Sequence, residues 1–233
     1  MKMKKITYYL LMLNLFLGMT ISASTSYASE LRLASRIDEC VEVLEEMMSI
    51  PERSIPAKLL RNCKAIAIFP SVVKAGFVIG GRGGKGVVVA RNEDTGEWGA
   101  PSFYIISGGS IGFQIGVQVI DLVLIIPQRR VLRSLVQDRF TLGADAAVAA
   151  GPVGRDAEFS TDILLKGTVL TYSRAKGLFV GVALKGSILE PDYEANKSFY
   201  GRHITPERIL LSGEIKPPAS ATKLIRTLKR YSR

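Results

Sequence analysis

The chain is 233 residues long and 47% hydrophobic, with 31 Lys and Arg against 21 Asp and Glu, a formal charge of +10 at neutral pH. That is material for one sizeable core, in one domain or at most two. One histidine and no carboxylate cluster at ligand spacing exclude a catalytic metal site, and the basic balance alone does not choose among anionic lipid, nucleic acid and acidic polymers.

At the start, Lys2, Lys4 and Lys5 precede the apolar stretch ITYYLLMLNLFLGMTI, and Ser26-Tyr27-Ala28 follows it. A basic start, an apolar middle and a small-residue end predict a secretory signal peptide over residues 1–28. The other reading is an uncleaved anchor helix, but the apolar part is short for a span and contains Asn14. No cysteine stands at the cleavage point to carry a lipoprotein anchor. The expected location is therefore outside the cytoplasm, periplasmic or secreted, with peripheral membrane attachment open. Removing residues 1–28 takes away three lysines and no acid, so +10 becomes +7.

From Glu30 to Ser49, Leu33, Ile37, Cys40, Val41, Leu44, Met47 and Met48 recur at helical spacing, with Asp38, Glu39, Glu42, Glu45 and Glu46 opposite. Anionic lipid would repel that acidic face, so the helix is expected to dock on the protein's own core. A short helix is predicted from Pro56 to Cys63. Cys40 and Cys63 are the only cysteines. In an exported protein an even count favours a disulfide between the two helices, and a pair of buried thiols is the other reading.

Ile66 to Ala90 reads IAIFPSVVKAGFVIGGRGGKGVVVA, three β-branched runs separated by Pro70, Lys74 and a glycine cluster. Gly81 to Gly86 matches G-x-G-x-x-G, yet Val87-Val88-Val89 follows where a dinucleotide site needs a helix. A glycine-rich β-turn carrying Arg82 and Lys85 is the expectation. Arg91 to Glu97 is a polar loop without the alternating acids of a calcium loop. Gly108-Gly109-Ser110-Ile111-Gly112 matches the G-x-S-x-G of hydrolases, with Asp145 or Asp162 and then His203 in triad order. A nucleophile elbow needs a helix next. Here Ile111, Phe113, Ile115, Val117 and Val119 alternate with Gly and Gln, which predicts a strand and no enzyme.

Asp121 precedes the apolar run LVLII, and a helix is predicted over 127–136 with Arg129, Arg130 and Arg133 on one face. The small residues of FTLGADAAVAAGPVGR suit close backbone approach in a curved sheet. Two further strands are expected over 163–189, joined at Arg174 to Gly177. Lys166, Arg174, Lys176 and Lys185 would add to Arg82 and Lys85 if they converge on one side. After Pro217-Pro218, a terminal helix carries Leu224, Ile225, Leu228 and Tyr231 on one face and Lys223, Arg226, Lys229, Arg230 and Arg233 around it. It reads as an interfacial membrane element or as an ordinary helix snorkelling its cations over the core.

The blocks IPAKLLRNCKAIAIFPSVVKAGFVIGGRGGKGVVVAR, WGAPSFYIISGGSIGFQIGVQVIDLVLII, FTLGADAAVAAGPVGR, YSRAKGLFVGVALKGSIL and ANKSFYGR, in this order between Ile55 and Leu211, resemble the SYLF domain family, also called the Ysc84 actin-binding domain family. The resemblance implies a non-enzymatic lipid-binding module. Eukaryotic members bind phosphoinositides and some bind actin. For an exported member with a bacterial-type signal peptide, the resemblance carries over as affinity for anionic phospholipid, with actin an unlikely partner. The alternative is a structural or protein-interaction module of the cell envelope with no lipid ligand. The expected fold is α+β: a strongly curved, glycine-rich antiparallel sheet of roughly seven to nine strands, able to close toward a barrel, flanked by a few helices. The expected organisation is a signal peptide over 1–28, a domain over 29–216 and a basic amphipathic tail over 217–233. Arg82, Lys85, Lys223, Arg226, Lys229 and Arg230 are the expected head-group contacts. Neither a cofactor nor a nucleic-acid partner is expected.

Overall fold

The helical spacing of residues 29–48 produces the first helix, α1, with Leu33, Ile37, Cys40, Val41, Leu44 and Met47 all buried. The structure, a computed structural model, describes residues 29–50, 54–154, 167–175, 178–179 and 182–233, so the signal segment with Asn14 and the positions of Asp162, Lys166 and Lys176 lie outside the described residues. The acidic face of α1 is tied down as well: Glu45 accepts from Arg230 at 2.7 Å, and Glu46 pairs with Arg174. Helix α2 (Ala57–Asn62) follows, turning Leu59 and Leu60 inward. The expected disulfide is not formed. Cys40 and Cys63 are separate buried thiols, Cys63 donating to the Leu60 carbonyl at 3.3 Å and Cys40 to that of Ile68 at 3.6 Å. Both belong to the same apolar core, as lone cysteines commonly do.

The glycine-rich stretch is not a turn, and here the sequence expectation is corrected. IAIF, GFVIG and GVVVA belong to one 27-residue strand, β1 (Ala65–Arg91), antiparallel to the 29-residue β2 (Trp98–Ile126). Glycine sits opposite glycine or serine at the centre, with Gly80 against Ser110, Gly81 against Gly109 and Arg82 against Gly108. Pro70 is accommodated at a bulge between Phe69 and Val72. There Ser71 takes a left-handed φ of 51° and its N–H reaches the Asp121 carboxylate at 3.0 Å in place of a ladder partner. The true hairpin turn is the polar segment 92–97, closed by the Asn92 side chain, which accepts from the N–H groups of Asp94 and Thr95 at 2.9 Å each.

This long hairpin doubles back on itself. The Arg91 N–H donates to the Lys64 carbonyl at 2.8 Å, so the two ends of β1 meet. At Gly86 a Cβ would lie 2.0 Å from the Ile68 oxygen, and at Gly84 one would lie 2.8 Å from Val72 Cγ2. Only glycine lets the two halves of β1 lie this close. Both faces of the folded hairpin are covered. Ile66, Ile68, Val87, Val89, Phe103 and Val123 pack beneath α1, α2 and the terminal helix. The alternate residues Ala67, Phe69, Val88, Tyr104, Leu122 and Leu124 form a second core with helix α3 (Arg129–Leu135). Burial on both sides is why these strands read as nearly continuous apolar runs.

The remaining strands are β3 (Phe140–Thr141), β4 (Val148–Ala150), β5 (Val169–Ala175), β6 (Leu178–Phe179) and β7 (Ile188–Pro191). They give a seven-stranded sheet in the order β3-β7-β2-β5-β4, with β1 also on β2 and β6 also on β5. The sheet is mixed and not wholly antiparallel, because β4 and β5 run parallel. Helices α4 (Tyr193–Tyr200), α5 (Pro206–Leu210) and α6 (Thr222–Tyr231) complete an α+β fold around a curled half-barrel sheet. In α4 the buried Asn196 behaves like a short strand edge: its side chain accepts from the Phe103 N–H at 2.8 Å and donates to the Phe103 carbonyl at 3.3 Å. Among the described residues no helix is long and apolar enough to cross a membrane.

Candidate functional site

Of the two cations expected in the glycine stretch, only one faces solvent. Arg82 is 9% exposed and donates to the Ala183 carbonyl, while its Nε has no hydrogen-bond partner. Burial holds its guanidinium pKa below the usual value. A strand position buried beneath the 182–184 segment is closed to a head group, which corrects the expectation for Arg82. Lys85, with a half-exposed side chain, bonds to the Asp192 carboxylate at 3.0 Å. Asp192 is fixed by two further contacts: its other oxygen accepts from the Ala195 N–H at 3.1 Å, capping α4, and its own N–H donates to Phe103 O at 2.9 Å.

Lys85 also lines a cavity of about 220 Å³ between α1, β1 and α4. Arg32 and Arg36 of α1 stand on its other side, with Asp192, Glu194 and Ser198 from α4. The Arg36 guanidinium lies 5.7 Å from the centre of the Phe103 ring, and its Nη1, though buried, has no hydrogen-bond partner. A cation held by an aromatic face beside a cavity, with an N–H still unused, can bind an anion at little reorganisation cost. Arg32 and Arg36 were not among the expected contacts, because in the sequence they are two cations inside an acidic helix. Spacing was the available signal. Arg36 falls three residues after Leu33 and four before Cys40, on the edge of the buried stripe.

The terminal helix does not present an apolar face outward. Leu224, Ile225 and Leu228 are buried in the core with α1, and Tyr231 packs against it. That leaves no apolar surface on α6 for a membrane and corrects the interfacial reading. Lys229 pairs with Glu97 and Arg230 with Glu45, whereas Lys223 and Arg226 are exposed. Of the cations expected to converge with Arg82 and Lys85, Lys166 and Lys176 lie outside the described residues and Lys185 is exposed, and other cations of the sheet and of α3 are engaged locally. Arg174 pairs with Glu46, Arg129 with Glu93 at 3.2 Å, and Arg130 bonds to Gln128 at 2.6 Å. The hydrolase motif is disposed of by the backbone, since β2 runs through 108–112 as strand and continues to Ile126. His203 is exposed in the loop before α5. Among the described residues no group of three or more His, Cys, Asp or Glu could hold a metal ion.

Residues 107–231 match the family described as Ysc84, Las17-binding protein actin regulator. The chain belongs to the Ysc84 family. The human SH3 domain-containing YSC84-like protein 1 is 38% identical over 206 residues, covering 86% of this chain and 59% of that protein. From Saccharomyces cerevisiae, Protein YSC84 is 40% identical over 181 residues, 76% of this chain and 38% of the yeast protein. LAS seventeen-binding protein 3 of the same yeast is 39% identical over 181 residues, with 76% and 39% coverage. The chain thus spans about 60% of the length of the mammalian relatives and less of the yeast ones.

Proposed function

We propose that this Ysc84-family chain is a non-catalytic binding module for anionic phospholipid head groups, acting outside the cytoplasm. The cavity of Arg32, Arg36 and Lys85 is the head-group site. The observation that carries the proposal is that Arg36, whose buried Nη1 has no hydrogen-bond partner, lines a cavity together with two more cations. A phosphate there would accept from Arg36 and draw Lys85 partly away from Asp192. Helix α4 would stay capped, because Asp192 holds the Ala195 N–H through its other oxygen. The test is co-sedimentation of residues 29–233 with vesicles containing phosphatidylglycerol or cardiolipin, compared with neutral vesicles. Each cation near an anionic surface contributes about 1 kcal/mol, roughly fivefold in affinity. Arg36→Gln and Lys85→Gln should each weaken anionic-vesicle binding by about that factor. Equal binding to neutral vesicles, or none to anionic ones at low salt, would overturn the proposal.

A second reading is a protein-interaction module, favoured by the family's description as a Las17-binding actin regulator and by the yeast relative's name. On this reading the exposed Arg32 and Lys85, with Lys223 and Arg226 of α6, would meet an acidic partner surface. Relatives described in these terms keep an actin-system protein among the partners to test. Co-sedimentation with filamentous actin that survives excess anionic vesicles would favour it over the lipid reading.

A further inference from the structure

The middle of the hairpin stands apart from the rest of the sheet. β7 pairs with β2 only over Tyr104–Ser107, and β5 only from Asp121 onward. Between them, residues 108–120 of β2 have β1 as their one strand partner among the described residues. The two-stranded ribbon bends there. Gly76 pairs with Gly116 and the next pair is Val78 with Gly112, so three residues of β2 stand opposite one of β1. Gly116 has φ of 144°, a conformation that favours glycine.

One face of this bent ribbon is apolar and faces solvent. Val73 stands opposite Val119, and Ala75 opposite Val117. Val73 is 44% exposed, Val119 50% and Val117 73%. Single exposed valines are ordinary, but three on one face of one ribbon are not scatter. The charge pattern narrows the occupant. Between Ala65 and Ile120 the only acids are Glu93, Asp94 and Glu97, all in the hairpin turn at the opposite end, and the carboxylate of Asp121, next along β2, is taken up by the Ser71 N–H. In the bent part the charged residues are Lys74 and the buried Arg82. An apolar projection without acids and with a flanking lysine suits the interface of an anionic bilayer, where acids would be repelled and apolar side chains gain by leaving water.

We propose that the bent ribbon of β1 and β2 is the element that enters the lipid interface, with Val73, Val117 and Val119 submerged and Lys74 at head-group level. This rests on the lipid reading above and adds a second, apolar contact that the cationic cavity does not supply. The test uses residues 29–233 with an environment-sensitive fluorophore on Val117→Cys and, as control, on Asp94→Cys in the turn. Cys40 and Cys63 are buried, so the label goes to the introduced thiol. With phosphatidylglycerol vesicles, the label at 117 should shift to the blue and be quenched by brominated acyl chains, while the label at 94 should not. The double variant Val117→Asp, Val119→Asp, with unchanged circular dichroism and Tm, should bind these vesicles at least tenfold more weakly. If the unmodified protein co-sediments but label 117 stays unshifted and the double variant binds equally, the ribbon proposal is overturned and the lipid reading stands. Failure of the unmodified protein to bind any vesicle overturns both. A blue shift at 117 that grows with protein concentration without vesicles, with dimers in sedimentation, overturns it in favour of a second copy on the ribbon.

Discussion

Gly86→Ala is the sharpest test of the doubled hairpin. The added Cβ would lie 2.0 Å from Ile68 O, 2.7 Å from Phe69 Cδ1 and 2.8 Å from Phe69 Cα. Two of those three atoms are backbone, so no rotamer change relieves the contact and the two halves of β1 must move apart. Overpacking a core costs about 1–3 kcal/mol, and more where backbone must shift, so about 3 kcal/mol or more is expected. For a domain of this size that lowers Tm by roughly 6–12 °C. Gly83, in the same glycine run, has nothing within 4 Å of its added Cβ and no positive φ. Gly83→Ala should therefore be neutral or gain about 0.5 kcal/mol through the unfolded chain. Thermal scans by circular dichroism and urea titrations of both variants decide the matter. Wild-type stability in Gly86→Ala, or an equal loss in Gly83→Ala, would refute the close approach and return the stretch to a simple turn.

Three further outcomes are expected. Burial raises the pKa of Cys40, Tyr104, Tyr172 and Tyr200, and that of Cys63 to about 12. These groups keep their protons in the native state while the unfolded chain gives them up, so their contribution is whole below about pH 8.5 and lost as pH rises toward the folded values. Unfolding free energies from urea titrations should fall from about pH 9 upward, by up to about 1.4 kcal/mol per pH unit for each group, and a level profile to pH 11 would contradict this. Asn196→Ala leaves the buried Phe103 N–H without its partner, while the Phe103 C=O keeps the Asp192 N–H, and should cost about 1–3 kcal/mol in chemical denaturation, with a loss below about 0.5 kcal/mol counting against the clamp. On the proposed location outside the cytoplasm the mature protein should begin at Ser29 by intact mass, and retention of residues 1–28 in a membrane fraction would identify an anchor instead.

Much of the fold is legible where one periodicity meets one environment. In α1 the spacing of Leu33, Ile37, Cys40 and Leu44 names the buried face, and the same holds for Leu224, Ile225 and Leu228 in α6. Alternation from Ile111 to Val119 identifies β2 as strand and removes the hydrolase reading. What the sequence hides is where segments meet. A glycine cluster between apolar runs reads equally as a turn and as a strand that another strand must approach, and only the position of Ile68 beside Gly86 decides between them. Arg82 follows from that: in a turn it would be solvated, whereas in a strand it is buried beneath Ala183. The cavity draws on α1, β1 and α4, three segments remote in sequence, so no local motif announces it.

The two proposed lipid contacts differ in physics, and that difference separates them in one titration. The cations of the cavity act through charge, which is screened over about 8 Å at physiological salt and about 3 Å at 1 M. The apolar ribbon acts by leaving water, a gain that added salt does not weaken. Binding of the unmodified protein to phosphatidylglycerol vesicles should therefore fall with salt to a nonzero floor. In Val117→Asp, Val119→Asp the floor should vanish while the initial salt sensitivity remains. In Arg36→Gln with Lys85→Gln the slope should flatten while the floor persists. If all three proteins lose binding along one common curve to zero, charge alone holds this chain to the membrane, and the exposed valines of the ribbon need another explanation.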